Sequence, residues 1–300
     1  MILTTAAQFG DDEALSDYLA GELQSGRLGL VLGSGISADM RLPTWDGLVD
    51  ACCKAKGITI PSPRPDNRDL AEEVRVACAN HDEYLDLVKQ NLYAGVDLRL
   101  EALRTNATLS ALGSLVMSSV RGSVTGVITY NFDDLLELYL HYHGFRTHIV
   151  SDVPAWNEIA DVRILHPHGY LPSHPIHKKT NWIVFDRASY SKRAALEKLW
   201  ADEQLAVLRR NTCLFVGLSN RDDELDTLIA HVREAHPCRL MSVPFWAIRF
   251  SVRSGDTTRD EREAQKMAER GLFLKFVADY NTDLPRFLFR ICQKAAGVFL

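Results

Sequence analysis

Short apolar runs that alternate with stretches of helical periodicity limit this chain more than any other feature. "RLGLVLG" (27–33) is a buried-strand pattern closed by glycine, and "GSVTGVITY" (122–130) is rich in β-branched residues. "DVRILHPHG" (161–169), "NTCLFVGLS" (211–219), "VPFWAIRF" (243–250) and "GLFLKFV" (271–277) repeat the theme. Between them, "DDLLELYLHYHG" stops at Gly144, and "RDDELDTLIAHVREAH" opens with acidic residues, which a helix dipole favours in the first turn. "DEREAQKMAERG" ends on a glycine, and "DLPRFLFRICQKA" places Leu284, Phe287, Leu288 and Ile291 on one helical face. Strands that alternate with helices pair in parallel through right-handed crossovers. The expected fold is therefore α/β, with a Rossmann-like doubly wound parallel sheet.

One stretch breaks the alternation. From about 50 to 120, "PSPRPD", "LAEEVRVACA", "DEYLDLVKQNL" and "LSALGSLVMSS" hold no convincing parallel strand. They predict a mostly helical insertion, a small subdomain between the first two core strands, within a single domain spanning 1–300. A second irregular stretch, "LPSHPIHKK", follows the third strand.

Composition narrows the class. Apolar residues make up 46% and charged residues 24%, ordinary for a globular protein, and the net charge of -5 gives no reason to expect a nucleic-acid surface. No run of about 18 apolar residues exists, so no membrane span is expected. "MILTTAAQFGDDEALSDYLA" lacks the layout of a signal peptide, which predicts a cytoplasmic location. Cys52, Cys53, Cys78, Cys213, Cys238 and Cys292 form no C-x2-C pair. They read as thiols of a reducing compartment, with neither a zinc ribbon nor a disulfide framework.

In an open parallel sheet, ligands bind beyond the carboxyl ends of the strands. Four of those ends carry polar or glycine-rich chemistry. The first is Gly33-Ser34-Gly35-Ile36-Ser37. Glycine permits close backbone approach, and a helix starting just after the turn would aim free N–H groups at a pyrophosphate. A tight turn with no ligand explains "GSG" equally well. The pattern is neither G-x-G-x-x-G nor a P-loop. The second end, "YNFDDLLE", offers Asn131, an amide beside a glycine turn, together with Asp133 and Asp134, which could simply cap a helix. The third, "HPHG", places His168 at a strand terminus, with His166 read as a satisfied core or surface residue. The fourth is Gly217-Leu218-Ser219.

Taken in order, these stretches resemble the Sir2 (sirtuin) superfamily, which carries G-A-G-I-S, T-Q-N-I-D, H-G and G-T-S motifs in the same sequence. "LPTWDGLV" and "YNFDDLLE" are similar to a narrower branch, the prokaryotic Sir2-like proteins of antiphage defence. The resemblance implies that the backbone of Gly33, Ser34, Gly35, Ile36 and Ser37 holds the pyrophosphate of NAD as substrate. It implies that Asn131 contacts the nicotinamide ribose or the attacking water, and that Asp133 binds the carboxamide. His168 would act on a ribose hydroxyl or water, and Gly217 and Ser219 would line the adenosine side. Deacetylating sirtuins carry a four-cysteine zinc ribbon that this chain cannot build, and the family's asparagine after the fifth strand has no counterpart in "FWAIRF".

The implied activity is metal-free NAD+ glycohydrolysis by an abortive-infection effector. The alternatives are a deacylase, an ADP-ribosyltransferase or a non-catalytic NAD- or ADP-ribose-binding subunit. A homo-oligomer is expected, with a partner such as a HerA-like ATPase or an Argonaute-type sensor, and with no direct nucleic-acid or membrane contact. The cysteine spacing predicts that purified protein carries less than stoichiometric zinc and that chelators leave NAD+ cleavage unchanged. Stoichiometric, tightly held zinc by elemental analysis would overturn that expectation.

Overall fold

A computed structural model describes residues 1–117, 122–174, 180–218 and 223–297. In chain order, α1 (Ala6–Gly10) and α2 (Asp12–Gln24) precede β1 (Leu28–Leu32). Then come α3 (Trp45–Ala55), α4 (Asn67–Val76), α5 (His81–Leu92), α6 (Leu100–Thr105) and α7 (Ala107–Val116). β2 (Gly126–Thr129), α8 (Leu135–Tyr142), β3 (Thr147–Val150) and β4 (Val162–Leu165) follow. The chain continues through α9 (Arg187–Ala195), α10 (Glu197–Leu208), β5 (Thr212–Val216) and α11 (Asp223–Ala235). It closes with β6 (Ala247–Val252), α12 (Thr257–Glu269), β7 (Leu272–Val277) and α13 (Asp283–Ala295).

The strands form one seven-stranded sheet in the order β3-β4-β2-β1-β5-β6-β7, and every pair is parallel. The doubly wound α/β architecture is thus the one the alternation predicts. β1 and β5 are buried along their whole length, which is why "LGLVL" and "TCLFV" are continuous apolar runs rather than alternating ones. β3, at one edge, alternates between buried and half-buried positions, and its four residues were too few to stand out as a seventh run. α13 buries Leu284, Phe287, Leu288 and Ile291 as their spacing requires, packing on α2 and α7.

The helical stretch between β1 and β2 divides by its neighbours. α7 packs against α13 and α8, in the layer that covers the sheet. α3, α4 and α5 pack on one another, and α4 also packs on α9. Among the described residues no helix is long and apolar enough to cross a membrane. The six cysteines form no disulfide; only Cys78 is not fully buried.

From β1 the chain moves outward to β2 on one side, and later returns to β5 on the other. The strand order therefore reverses between β1 and β5, the place where such sheets open a crevice. Here the two strand ends meet backbone to backbone. Gly33 N–H donates to the Val216 carbonyl at 2.9 Å and Gly35 N–H to the Gly217 carbonyl at 2.9 Å. A Cβ on Gly33 would lie 2.6 Å from Gly217 O, and one on Gly35 would lie 2.7 Å from Gly217 Cα. Gly217 itself has φ +72°, and a Cβ there would lie 2.8 Å from Gly33 O. Gly217→Ala would combine a left-handed backbone with that clash. It is expected to lower stability by about 1–3 kcal/mol, read from urea unfolding. An unchanged midpoint would mean that the two turns do not pack as described.

Candidate active site

A cleft of about 970 Å³ opens over the carboxyl ends of β1, β2, β4 and β5. Gly33 and Ser34 from the β1 turn, Tyr130 and Asn131 after β2, His168 after β4, and Gly217 and Leu218 after β5 form its floor. One wall comes from α3, α4 and the segment before α4, through residues such as Trp45, Asp46 and Arg68. The other comes from α9 and α10, through Tyr190, Arg193 and Glu197. Of the residues singled out in the sequence, Gly33, Ser34, Asn131, His168 and Gly217 reach the cleft. Gly35, Ile36, Ser37 and Asp133 lie outside its lining, and Ser219 lies outside the described residues.

The glycine turn does not lead straight into a helix. It winds through two short 3-10 turns, Ser34–Ile36 and Ala38–Met40, and α3 begins only at Trp45. The amides of Gly33, Gly35, Ile36 and Ser37 are engaged close by. Besides the two bonds to β5, Ile36 N–H donates to Gly33 O at 3.2 Å and Ser37 N–H to Ser34 O at 3.1 Å. The glycines serve the contact between β1 and β5 before any ligand is considered.

Behind the floor lies a buried polar chain. Asn131 Nδ2 donates to Gly33 O at 3.2 Å and to Ser37 Oγ at 3.4 Å. Ser37 Oγ donates in turn to Asp133 Oδ2 at 3.1 Å, and Leu135 N–H donates to Asp133 Oδ1 at 3.2 Å. His166, fully buried, has Nδ1 3.1 Å from the Asn131 carbonyl and Nε2 2.7 Å from Glu137 Oε1. Asn131 is thus held through its side-chain amide and its backbone carbonyl at once. His166 is the satisfied core histidine its position suggests, and it also buttresses Asn131. Removing its ring would leave Glu137 buried without its partner, so His166→Ala tests stability rather than chemistry.

His168 is half-buried. Its ring meets Tyr130 edge-on at 4.9 Å between centroids and faces Tyr190 at 6.4 Å. Its carbonyl accepts Val184 N–H at 2.7 Å, which ties the "HPHG" turn to the strand-like segment before α9. Tyr130 Oη donates to Gln204 Oε1 at 2.5 Å, linking the end of β2 to α10. Asp134, read in the sequence as a possible cap, makes no side-chain cap bond. It accepts Tyr93 Oη at 2.8 Å and Ser173 N–H at 2.8 Å, pinning the chain just beyond "HPHG" to the end of α5. Buried Arg249 donates from Nη2 to Leu218 O at 2.8 Å, and burial pulls its pKa down.

The two walls meet through polar contacts between α4 and α9. Arg187 lies 2.5 Å from Asp69, Ala188 N–H donates to Glu72 Oε2 at 3.2 Å, and Arg68 covers the Tyr190 ring at 5.1 Å. Tyr190 and Arg193 were missed in the sequence. "RASYSKR" reads as an exposed basic helix, and nothing in its pattern says that Arg193 is buried.

Burial raises the Asp133 pKa to about 7; the nearby Glu137 and Asp134 carboxylates push the same way, and the Leu135 N–H and Ser37 bonds oppose them. The folded chain therefore holds a proton that the unfolded chain releases near pH 4. Its stabilising effect is complete below about pH 4 and is lost as pH rises through about 7. Asp133→Asn keeps an acceptor for Leu135 and removes the charge. The variant is expected to lose less stability than wild type between pH 5 and pH 8, by an amount on the order of 1 kcal/mol or more. Parallel urea titrations at the two pH values check this, and equal slopes would rule out a protonated Asp133.

The SIR2-like domain family model matches residues 125–283, more than half of the chain. A search of curated proteins finds no match. Among solved structures, one described as "Structural Basis for the Mechanism and Regulation of Sir2 Enzymes" is 14% identical, covers 94% of this chain and 97% of its own, and superimposes with a TM-score of 0.47. Asn131, Asp133, His168 and Gly217 all fall within the matched region. The chain belongs to the Sir2 superfamily, as a protein with a SIR2-like domain.

Proposed function

We propose that this chain is an NAD+ glycohydrolase that splits NAD+ into nicotinamide and ADP-ribose, acting in the cytoplasm as an antiphage effector that depletes NAD. Membership of the Sir2 superfamily supports an NAD-related activity. The observation that carries the finer reading is the convergence of Asn131 and His168. They sit on neighbouring strand ends and open onto one cleft together with the glycine floor. A cleft of about 970 Å³ is large enough for a dinucleotide, at the upper end of small-molecule sites.

In this reading a water oxygen attacks C1′ of the nicotinamide ribose. The bond from C1′ to the pyridinium nitrogen breaks, and its electron pair neutralises that nitrogen, so nicotinamide leaves uncharged. The transition state has oxocarbenium character, as in glycoside hydrolysis. The proton lost by water passes to His168, whose imidazole suits transfer near neutral pH, and then to solvent. Asn131 orients ribose and water; the Gly33 carbonyl and Ser37, itself bonded to Asp133, hold its side-chain amide, and His166 holds its backbone carbonyl. The absence of paired cysteines for a zinc ribbon favours water over an acyl-lysine as acceptor. An unregulated NAD hydrolase would harm its own cell, so activity is expected to rise on assembly, as a homo-oligomer or with a partner sensor.

His168→Ala is expected to lower nicotinamide release roughly 10²- to 10⁴-fold, as loss of a general base does. Asn131→Ala should cost at least about 10², because a misplaced reactant alone can cost that much. His168→Ala should still bind ADP-ribose; Asn131→Ala also frees the Gly33 carbonyl and is the less clean variant. Products from NAD+ are read by chromatography beside the wild type. Nicotinamide with an acylated or ribosylated acceptor would favour the transferase readings. No cleavage in any assembly state would favour a binding subunit.

A further inference from the structure

The sheet has two edges, β3 and β7, and they are built differently. An unpaired edge invites pairing with another chain, and proteins blunt such edges with charges or cover them. β7 is blunted both ways: Lys275 sits within it, 2.5 Å from Asp12, and α1 packs on it. β3, "THIV", holds neither a lysine nor a proline. Asp161 N–H donates to Arg146 O at 2.9 Å and His166 N–H to Val150 O at 2.8 Å. The carbonyls of Arg146, His148 and Val150 thus turn towards β4, and the backbone groups of Thr147 and Ile149, and of Ser151 next in line, turn to the open side. Among the described residues no strand pairs with that side.

Charge marks the two ends of the same edge. Arg146 and Asp152 flank β3, and both are exposed. Among the described residues the Arg146 guanidinium has no ion pair, and Asp152 accepts only Val153 N–H, at 2.9 Å. An antiparallel copy of the strand centred on Ile149 would exchange both backbone bonds between the two Ile149 residues and set Thr147 opposite Ser151. It would also set each Arg146 opposite the partner's Asp152, giving two ion pairs about one two-fold axis. Centring on His148 instead would place Arg146 opposite Val150 and lose both pairs. Trp156 and Ile159, each 89% exposed, add apolar surface in the connection between β3 and β4.

We propose that the β3 edge is a self-association surface, where two copies of this chain pair antiparallel into one continuous sheet. Val150, whose carbonyl holds His166, then lies in the interface. The link to turnover rests on the NAD+ reading: fixing β3 steadies the "HPHG" turn, so NAD+ cleavage per chain should rise with the dimer.

Sedimentation velocity of the full chain over a concentration series, with nicotinamide release measured on the same samples, tests this. The wild type is expected to form a reversible dimer. Arg146→Glu should weaken it about tenfold, because two attractive pairs become repulsive, and adding Asp152→Arg should restore it. Ile149→Pro deletes an N–H on the open side and should abolish the dimer while sparing the β4 ladder. Where that variant does not fold, the exposed Arg146 and Asp152 changes carry the test. A wild type that stays monomeric, or that pairs through this edge only with a different protein, would overturn the assignment. So would a dimer that these variants leave unchanged, or one that the charge swap does not restore. A dimer that responds as expected and never cleaves NAD+ would uphold the interface and defeat the NAD+ reading; full cleavage by a strict monomer would do the reverse.

Discussion

The backbone contact between the ends of β1 and β5 is the constraint on which the rest of the cleft depends. Three glycines meet there, packed so closely that a Cβ on any of them would clash with the backbone of the facing turn. Because Gly35 donates to Gly217 O and Gly33 to Val216 O, the turn after β1 is shaped by the strand beside it rather than by its own sequence alone. Arg249 extends the same brace by holding the Leu218 carbonyl from β6. The crevice at the reversal of strand order therefore has a rigid floor, and the mobile chemistry of any ligand is left to side chains on β2, β4 and the walls.

That division explains why the polar groups behind the floor are so fully engaged. Buried Asn, Ser, Asp, His and Glu side chains are tolerated when each has a partner, and a satisfied network also fixes geometry. Here the chain from Glu137 through His166 fixes the Asn131 backbone, and the bonds from its side chain to Gly33 O and to Ser37, itself bonded to Asp133, leave the amide little freedom. Ser37 enters this chain through its hydroxyl, a contact that its place in "GSGIS" does not announce.

Much of this was legible in the sequence, for a physical reason. Central parallel strands are buried on both faces or nearly so, so β1, β2, β4, β5 and β6 announce themselves as apolar runs, and the polar ends of β1, β2, β4 and β5 stand out against them; β7, at the other edge and half-buried at three positions, reads as a run because Leu272, Phe273, Leu274, Phe276 and Val277 are all apolar. β3 is a short edge strand, and its half-buried alternation carries a weaker signal. The walls were not legible. Whether a given residue of "RASYSKR" turns inward depends on Trp200 and Pro167, partners seven residues away and twenty-six residues away along the chain, and no local periodicity encodes them. Asp134 shows the same limit: its neighbours fit a helix cap, and its actual partners lie on α5 and beyond β4.

The contacts joining α4 to α9 set a different kind of property. The Arg187–Asp69 pair is 61% and 42% exposed, and pairs of this sort contribute little and are screened over about 8 Å at physiological ionic strength. The floor is held by unscreened backbone bonds and the rim by contacts that salt weakens. Under the proposed NAD+ glycohydrolase reading, ligand traffic through the rim and turnover on the floor thus answer to different variables: the rate of entry should vary with ionic strength while the intrinsic rate of bond cleavage stays constant. Stopped-flow association of ADP-ribose across a salt series, set beside single-turnover rates, would expose the difference, and a parallel dependence of both would show rim and floor to be one mechanical unit.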